Sequence, residues 1–438
     1  MKRLLGILIV LAVIVAAAYV VLNRTDPADG SAPALAGAPA GAPVLERGEY
    51  LTKAADCIAC HTAPGGRPFA GGLAFKLPFG TIYSPNITAD EATGIGSWTD
   101  EQFVRAVREG VGQHGEKLYP AFPYTAYTAL SRADVLAIKA YLFSLPKVAQ
   151  PAKANELSFP FNQRWAMGFW NAAFFKSKRF EADPSKSAQW NSGAYLATAL
   201  GHCAECHTPR NIGFGLKHGS ELAGQELQGW VAYNITSDPV QGIGAWSEEQ
   251  LTQYLRTGHA QGRASASGPM GEAIAYSLQY LKPEDTAALV AYLRSVPAQQ
   301  GSGRDAVASK PAEALAQAKT ALAAAPPNAD ALGAQLFAGA CAGCHQWDGG
   351  GRQSDYASLL GTRGVNDPSG RNVTQAILGG ARFHIAGTEV YMPAFAEGYS
   401  DTEVAALANF VIRHFGDKQG QVTSNTVAKA RLKGHEDG

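Results

Sequence analysis

The chain has 438 residues, in which 37 lysines and arginines meet 37 aspartates and glutamates, so its formal net charge at neutral pH is zero. That balance excludes the basic footprint of a nucleic-acid binder, and no nucleic-acid motif is present. A hydrophobic share of 46% is that of ordinary globular domains, and the length suggests about three of them.

At the amino terminus, Lys2 and Arg3 precede LLGILIVLAVIVAAAYVVL, Leu4 to Leu22, nineteen residues without a charge. As a helix this run is long enough to cross a bilayer core. A secretory signal has a shorter apolar stretch and a small-residue cleavage site, for which Ala16, Ala17 and Ala18 qualify. Continuation of the run through Leu22 favours an uncleaved anchor, its start held on the cytoplasmic side by Lys2 and Arg3. Residues 1–24 are thus expected to be a membrane anchor or signal segment. Residues 25–44, rich in Ala, Pro and Gly, read as a linker.

The stretch CIACHTAP, Cys57 to Pro64, returns as CAECHTPR from Cys203 and as CAGCHQWD from Cys341, and the three copies use all six cysteines. Cys-x-x-Cys-His is the attachment signature of a c-type haem. Two thiols one helical turn apart reach the two vinyl groups of one macrocycle, and the next residue aims its imidazole at the iron from the same face. A zinc site needs four protein ligands and gives no reason for a histidine directly after every second cysteine. A thioredoxin-like redox pair needs a βαβ context, and none is visible. Three covalent haems are expected, on Cys57 and Cys60, Cys203 and Cys206, and Cys341 and Cys344, with His61, His207 and His345 on the irons.

NITADEATGIGSWTDEQF from Asn86 matches NITSDPVQGIGAWSEEQL from Asn234 without a gap, the mark of a duplicated unit. The copies close on helical patterns that end in Pro, SRADVLAIKAYLFSLP and KPEDTAALVAYLRSVP, and SDTEVAALANFVIRHFG stands in the same place near the carboxyl end. No convincing run of strands is visible. The expectation is an all-α chain with haem domains at 45–150, 186–298 and 330–416. An aromatic connector, 151–185, and an Ala/Pro linker, 299–329, separate them, and a polar tail, 417–438, follows.

Methionine often supplies the second axial ligand of a c-type haem and raises its potential. Of the four methionines, Met1 is the initiator. Met270 and Met392, each just before a closing helix, are the candidates for the second and third irons; gap-filling in a core is the competing use. The gap-free alignment carries Phe122 onto Met270, and phenylalanine cannot bind iron. The first iron is left with three readings: Met167 from the connector, if the chain folds back over the ring; His114, giving a bis-histidine iron of lower potential; or no sixth protein ligand.

Trp98 and Trp246, and Asn86 and Asn234, match between the copies, with Tyr83 nearby. They suit hydrogen bonds to haem propionates or plain loop packing. A carbonyl near Pro64 or Pro209 is the expected partner of the haem histidine's other N–H. The segment Phe159 to Phe180, with Arg164, Lys176 and Arg179, suits a membrane surface, a partner's face or a core element joining two haem pockets.

From about residue 45 to 415 the chain resembles the tri-haem cytochrome c subunit of bacterial membrane-bound dehydrogenases. The resemblance rests on the three haem motifs, the NIT…GIG-x-W blocks, YPAFPY, CAECHTPRN and YMPAF. It implies three class I cytochrome c-like domains in tandem, three haem c groups and no substrate chemistry by this chain. It implies electron transfer from a periplasmic catalytic subunit that oxidises an alcohol, aldehyde, sugar acid or similar substrate, with a small accessory subunit, to ubiquinone or a terminal oxidase. The implied location is the inner membrane, with the haem domains on the periplasmic side. Much of the family has methionine where Phe122 stands, which tilts the chain away from the alcohol dehydrogenase branch. Two other readings stand: a peroxidase-like haem enzyme with an open first iron, near Arg108 and His114, and a free-standing membrane-anchored electron shuttle.

Overall fold

The computed structural model describes residues 30–299 and 331–434, apart from Gln353 and Asp417. The expected anchor and nearly all of the 299–329 linker lie outside the described residues. Among the described residues no helix is long and apolar enough to cross a membrane.

The first domain contains α1 (Val44–Ala54), the one-turn α2 (Cys57–Cys60), a hairpin of β1 (Ala74–Leu77) and β2 (Gly80–Tyr83), then α3 (Asp100–Glu109), α4 (Tyr124–Tyr127) and α5 (Arg132–Ser144). The connector adds β3 (Glu156–Leu157) to the free edge of β2 and forms α6 (Met167–Phe174). The second domain repeats the plan with α7 (Ala188–Tyr195), α8 (Cys203–His207), β4 (Gln225–Leu227), β5 (Trp230–Ala232) and α9 (Glu248–Thr257). It continues with β6 (His259–Ala260), β7 (Ala264–Ser265), α10 (Gly268–Tyr276) and α11 (Pro283–Ser295). The third has α12 (Ala331–Leu336), α13 (Ala342–His345), α14 (Arg371–Gly379), β8 (Ala381–Ile385), β9 (Thr388–Met392), α15 (Asp401–Gly416) and α16 (Ser424–Gly434).

The duplicated sequence dictates duplicated local structure. Thr99 and Ser247 each accept from the N–H of a glutamine three residues on, Gln102 and Gln250, whose side chain returns to the cap N–H. This capping box satisfies two orphan donors at the start of α3 and of α9. In every domain the first helix crosses the long closing helix (α5, α11 or α15) at a glycine. A Cβ on Gly48 would stand 2.0 Å from Ala137 O, on Gly193 1.9 Å from Ala288 O, and on Gly333 2.4 Å from Ala406 O, so a side chain would force the helices apart.

Helices dominate, but the chain is not all-α. Antiparallel pairs β1–β2, β4–β5, β6–β7 and β8–β9 interrupt it. Three of them close over two residues: Pro78-Phe79, Gln228-Gly229 (φ 50° and 86°) and Ala386-Gly387 (φ 51° and 78°). In the last two, φ is positive at both positions, the backbone that suits a two-residue hairpin. The strands are two to five residues long, too short to show an alternating pattern.

The first two domains share one apolar core, which runs from Leu51, Val135 and Leu142 through Leu200 to Leu289 and Leu293. The third has its own, around Phe337, Leu378, Leu407 and Ile412. The first helix of each copy reaches the last helix of the other. Tyr195 in α7 donates to Asp134 in α5 at 2.6 Å, and Tyr50 in α1 donates to Asp285 in α11. Asp285 also accepts the N–H groups of Ala36 and Gly37, each at 2.9 Å, and Arg47 pairs with Asp134. The third domain meets the second through the Arg371–Glu226 ion pair and through Asn372, whose Oδ1 accepts from Val231 N–H at 2.7 Å. These contacts set the second domain between the other two.

Candidate haem sites

The cysteine motifs sit where a helix loses its regular path. In the second and third domains the chain passes through a π-helical turn, Leu196–Leu200 and Phe337–Cys341. Asp56 and His202, directly ahead of Cys57 and Cys203, adopt left-handed backbone (φ 52° and 38°). For residues with a Cβ that conformation is disfavoured. It turns the short helix of the cysteine pair out of line with the preceding one.

All six cysteines are unpaired thiols. Burial pushes Cys57, Cys60 and Cys203 up to about 12, and Cys206 and Cys341 up to about 11. Among the described residues no group of three or more His, Cys, Asp or Glu converges on a metal ion, so no zinc ligand set is assembled there.

The three histidines share one geometry. Nδ1 lies 2.8 Å from Pro85 O in His61, 2.6 Å from Tyr233 O in His207, and 2.6 Å from Ala357 O in His345. A carbonyl only accepts, so Nδ1 carries the proton and Nε2 keeps its lone pair, which is the tautomer an iron requires. Burial lowers the pKa of all three, with the nearby Arg363 charge adding to the effect at His207, so the rings stay neutral. The partner carbonyls do not come from the neighbourhood of Pro64 and Pro209. The carbonyls of His61 and His207 themselves accept from Gly71 and Gly224, which closes that loop on itself. The segments following β2 and β5 deliver Pro85 and Tyr233 instead.

A cavity of about 3390 Å³ runs through the molecule, several times the roughly 300–1,000 Å³ of an ordinary small-molecule site. Its wall includes Cys60, Cys203, Cys206, His207, Cys341, Cys344 and His345, together with Met167, Met270 and Met392. Met270 lies in α10, and Met392 ends β9 opposite Ala381. Phe122, at the place of Met270 in the first copy, packs against Tyr127 with ring centroids 5.6 Å apart.

The connector folds back across this loop. Tyr119 donates to Phe161 O at 2.9 Å, Tyr124 to Asn171 Oδ1 at 2.7 Å, and Arg164 to Lys117 O at 3.1 Å. Met167 stands on the wall of the same cavity that Pro120, Ala121 and Pro123 line. His114 is exposed in a turn, where its N–H donates to Glu116. Arg108 is fully buried in α3. The paired asparagines clamp their own loops: Asn86 Nδ2 donates to Val148 O and Asn234 Nδ2 to Gln299 O, both at 2.7 Å, while each Oδ1 accepts from the threonine two residues on.

Paired thiols on one turn, an imidazole of fixed tautomer and an apolar cavity suit a covalently held porphyrin, so the residues present fit haem c. The sequence reasoning missed the crossing glycines, although Gly48 and Gly193 both stand two residues ahead of a Tyr-Leu pair. It also missed Arg363, for which the sequence carries no signal.

Comparison with known proteins agrees. The cytochrome c family model matches residues 45–146, 192–297 and 331–413. The chain is 40% identical over 408 residues to the fructose dehydrogenase cytochrome subunit of Gluconobacter japonicus, which covers 90% of this chain and 84% of that one. It is 36% identical over 418 residues to the gluconate 2-dehydrogenase cytochrome c subunit of Pantoea cypripedii, covering 91% and 92%. It is 35% identical over 405 residues to the cytochrome c subunit of the quinone alcohol dehydrogenase of Gluconacetobacter polyoxogenes, covering 89% and 85%. Three cytochrome c domains in tandem, each with its own haem c attachment motif, make this chain a member of the cytochrome c family.

Proposed function

We propose that the chain is the electron-transfer subunit of a membrane-bound dehydrogenase. It takes electrons from a periplasmic catalytic subunit and passes them to ubiquinone or a terminal oxidase at a bacterial inner membrane. The observation that carries this reading is a single cavity reached by all three attachment motifs, in a chain whose near-full-length relatives are cytochrome subunits of dehydrogenases.

Haem c supplies one-electron chemistry when bound. The cysteines would hold its edge and His61, His207 and His345 its iron, and Met270 and Met392 are the residues that would complete the second and third sites. Met167 is assigned to the first site because α6 lies across the Tyr119–Tyr124 loop. A methionine thioether favours the reduced iron and raises the potential. With the second domain in the middle, the three centres stand in series.

The membrane assignment draws support from where the described chain starts. Gly30 lies against the Phe180 carbonyl, and Ser31 Oγ accepts from Ala182 N–H at 3.0 Å. Eight residue steps separate Leu22 from Gly30, a reach of roughly 28 Å at most. Leu4 to Leu22 in a bilayer would hold the connector close to it. That connector and the loop beside it expose Phe159 (78%), Trp165 (68%), Phe169 (69%) and Ile212 (101%). Exposed aromatics of this kind suit the membrane–water boundary.

The test is purification from detergent-solubilised membranes. A large catalytic subunit is expected to co-purify, with a small accessory subunit, and its substrate should reduce the haems. Fructose, gluconate, aldehydes and alcohols form the first panel. A chain isolated without any dehydrogenase would point to a free shuttle instead.

A further inference from the structure

Arg363 belongs to the third domain, yet its side chain is built into the second. Its guanidinium lies over the Tyr233 ring, 4.5 Å from the centroid. Nη1 donates to Asn234 O at 3.1 Å, Nη2 reaches Gln241 O, and the backbone N–H donates to Arg263 O at 2.9 Å. The residue is only 7% exposed. Tyr233 is also the residue whose carbonyl receives the proton of His207 Nδ1. Asp367, likewise from the third domain, accepts from the Tyr233 hydroxyl at 3.1 Å, so that ring is pinned at both ends. The first copy has Pro85 at the position of Tyr233, with no aromatic ring for a cation to cover.

We infer that Arg363 is a positioning residue for the second haem, through which seating of the third domain raises that haem's reduction potential. The inference rests on the haem c reading given above. Reduction adds one electron at the iron, and a fixed cation in a poorly polarisable interior stabilises that added charge. The same cation draws density from the peptide beside the Tyr233 carbonyl. A less basic carbonyl leaves the His207 imidazole less electron-rich, which again favours the reduced iron. The effect is specific to the second site, because the Pro85 and Ala357 carbonyls that hold the other two histidines lie outside this contact. A second haem tuned in this way would reach its working potential only in the assembled chain.

The experiment is a potentiometric titration of the full-length holoprotein. The step belonging to the second haem is the one that Met270→His displaces. Arg363→Gln is expected to move that step alone to lower potential, and Arg363→Lys, which keeps the charge, to move it less. Arg371→Gln removes an ion pair with Glu226 at the same domain boundary, but one open to solvent, where water screens the charge, and is expected to move none. Haem content by mass in each variant shows that the protein has assembled. Three unmoved steps in Arg363→Gln, or an equal shift in Arg371→Gln, would overturn the inference and leave Arg363 a simple clip between domains. A parent protein carrying fewer than three haems would defeat the haem assignment itself, a separate outcome.

Discussion

Asp285, itself buried, accepts from the buried Tyr50 hydroxyl and from the part-buried backbone N–H groups of Ala36 and Gly37. Removing a shared acceptor strands every donor, at about 1–3 kcal/mol each. Asp285→Ala is therefore expected to lower the unfolding free energy by roughly 3 kcal/mol or more, whereas Tyr50→Phe should cost about 1 kcal/mol. Denaturant midpoints of the two holoproteins compare them directly. At the irons, Met270→Ala and Met392→Ala should each lower the potential of one haem while leaving attachment intact, since the covalent links to the macrocycle are made by the cysteines. Redox titrations that match the parent would remove those ligands. Met167→Ala should alter the spectrum of the first haem. An unaltered spectrum would return the choice to His114 or an open iron, which carbon monoxide binding to the reduced protein separates. The cysteines and histidines were legible because covalent attachment demands a fixed spacing. The carbonyls that orient the histidines were not, because they lie 24 and 26 residues away in the first two domains, and Arg363 reaches Asn234 across 129 residues.

The elements divide in the same way. Helices were readable from their apolar period and the closing Pro. The hairpins were not, because Gln228-Gly229 and Ala386-Gly387 lack the Asn or Asp that usually marks such a turn. The helix crossings were hidden because a glycine in a helix says nothing about which backbone it meets. Gly48→Ala and Gly193→Ala should each lower stability by about 1–3 kcal/mol through forced separation of the crossing helices. Gly339, with nothing within 4 Å of a Cβ placed there, is the control. Its substitution by Ala should leave the thermal midpoint unchanged or slightly raised, since Ala favours a helix more than Gly does, and equal losses at all three positions would show that close contact at the crossings is not the cause.

Across the whole chain, the duplication and the three-domain order could be read from the sequence, but the way the copies interlock could not. Likeness between two segments does not say which helix of one touches which helix of the other. The shared core of the first two domains, against a separate one in the third, predicts two units of stability. A chain ending at residue 298 is expected to keep two haems by mass and to unfold in one transition. Loss of either haem from that shortened chain would show that the third domain is needed to build the first two.

The crossed tyrosine–aspartate bonds tie together two halves that are otherwise free to differ. Tyr50 answers Asp285 and Tyr195 answers Asp134, so a change at any of the four is felt on both sides of the seam. Phe122 and Met270 are not among those four. The halves can thus differ beside their haem motifs, one with phenylalanine where the other has methionine, while remaining the same joint.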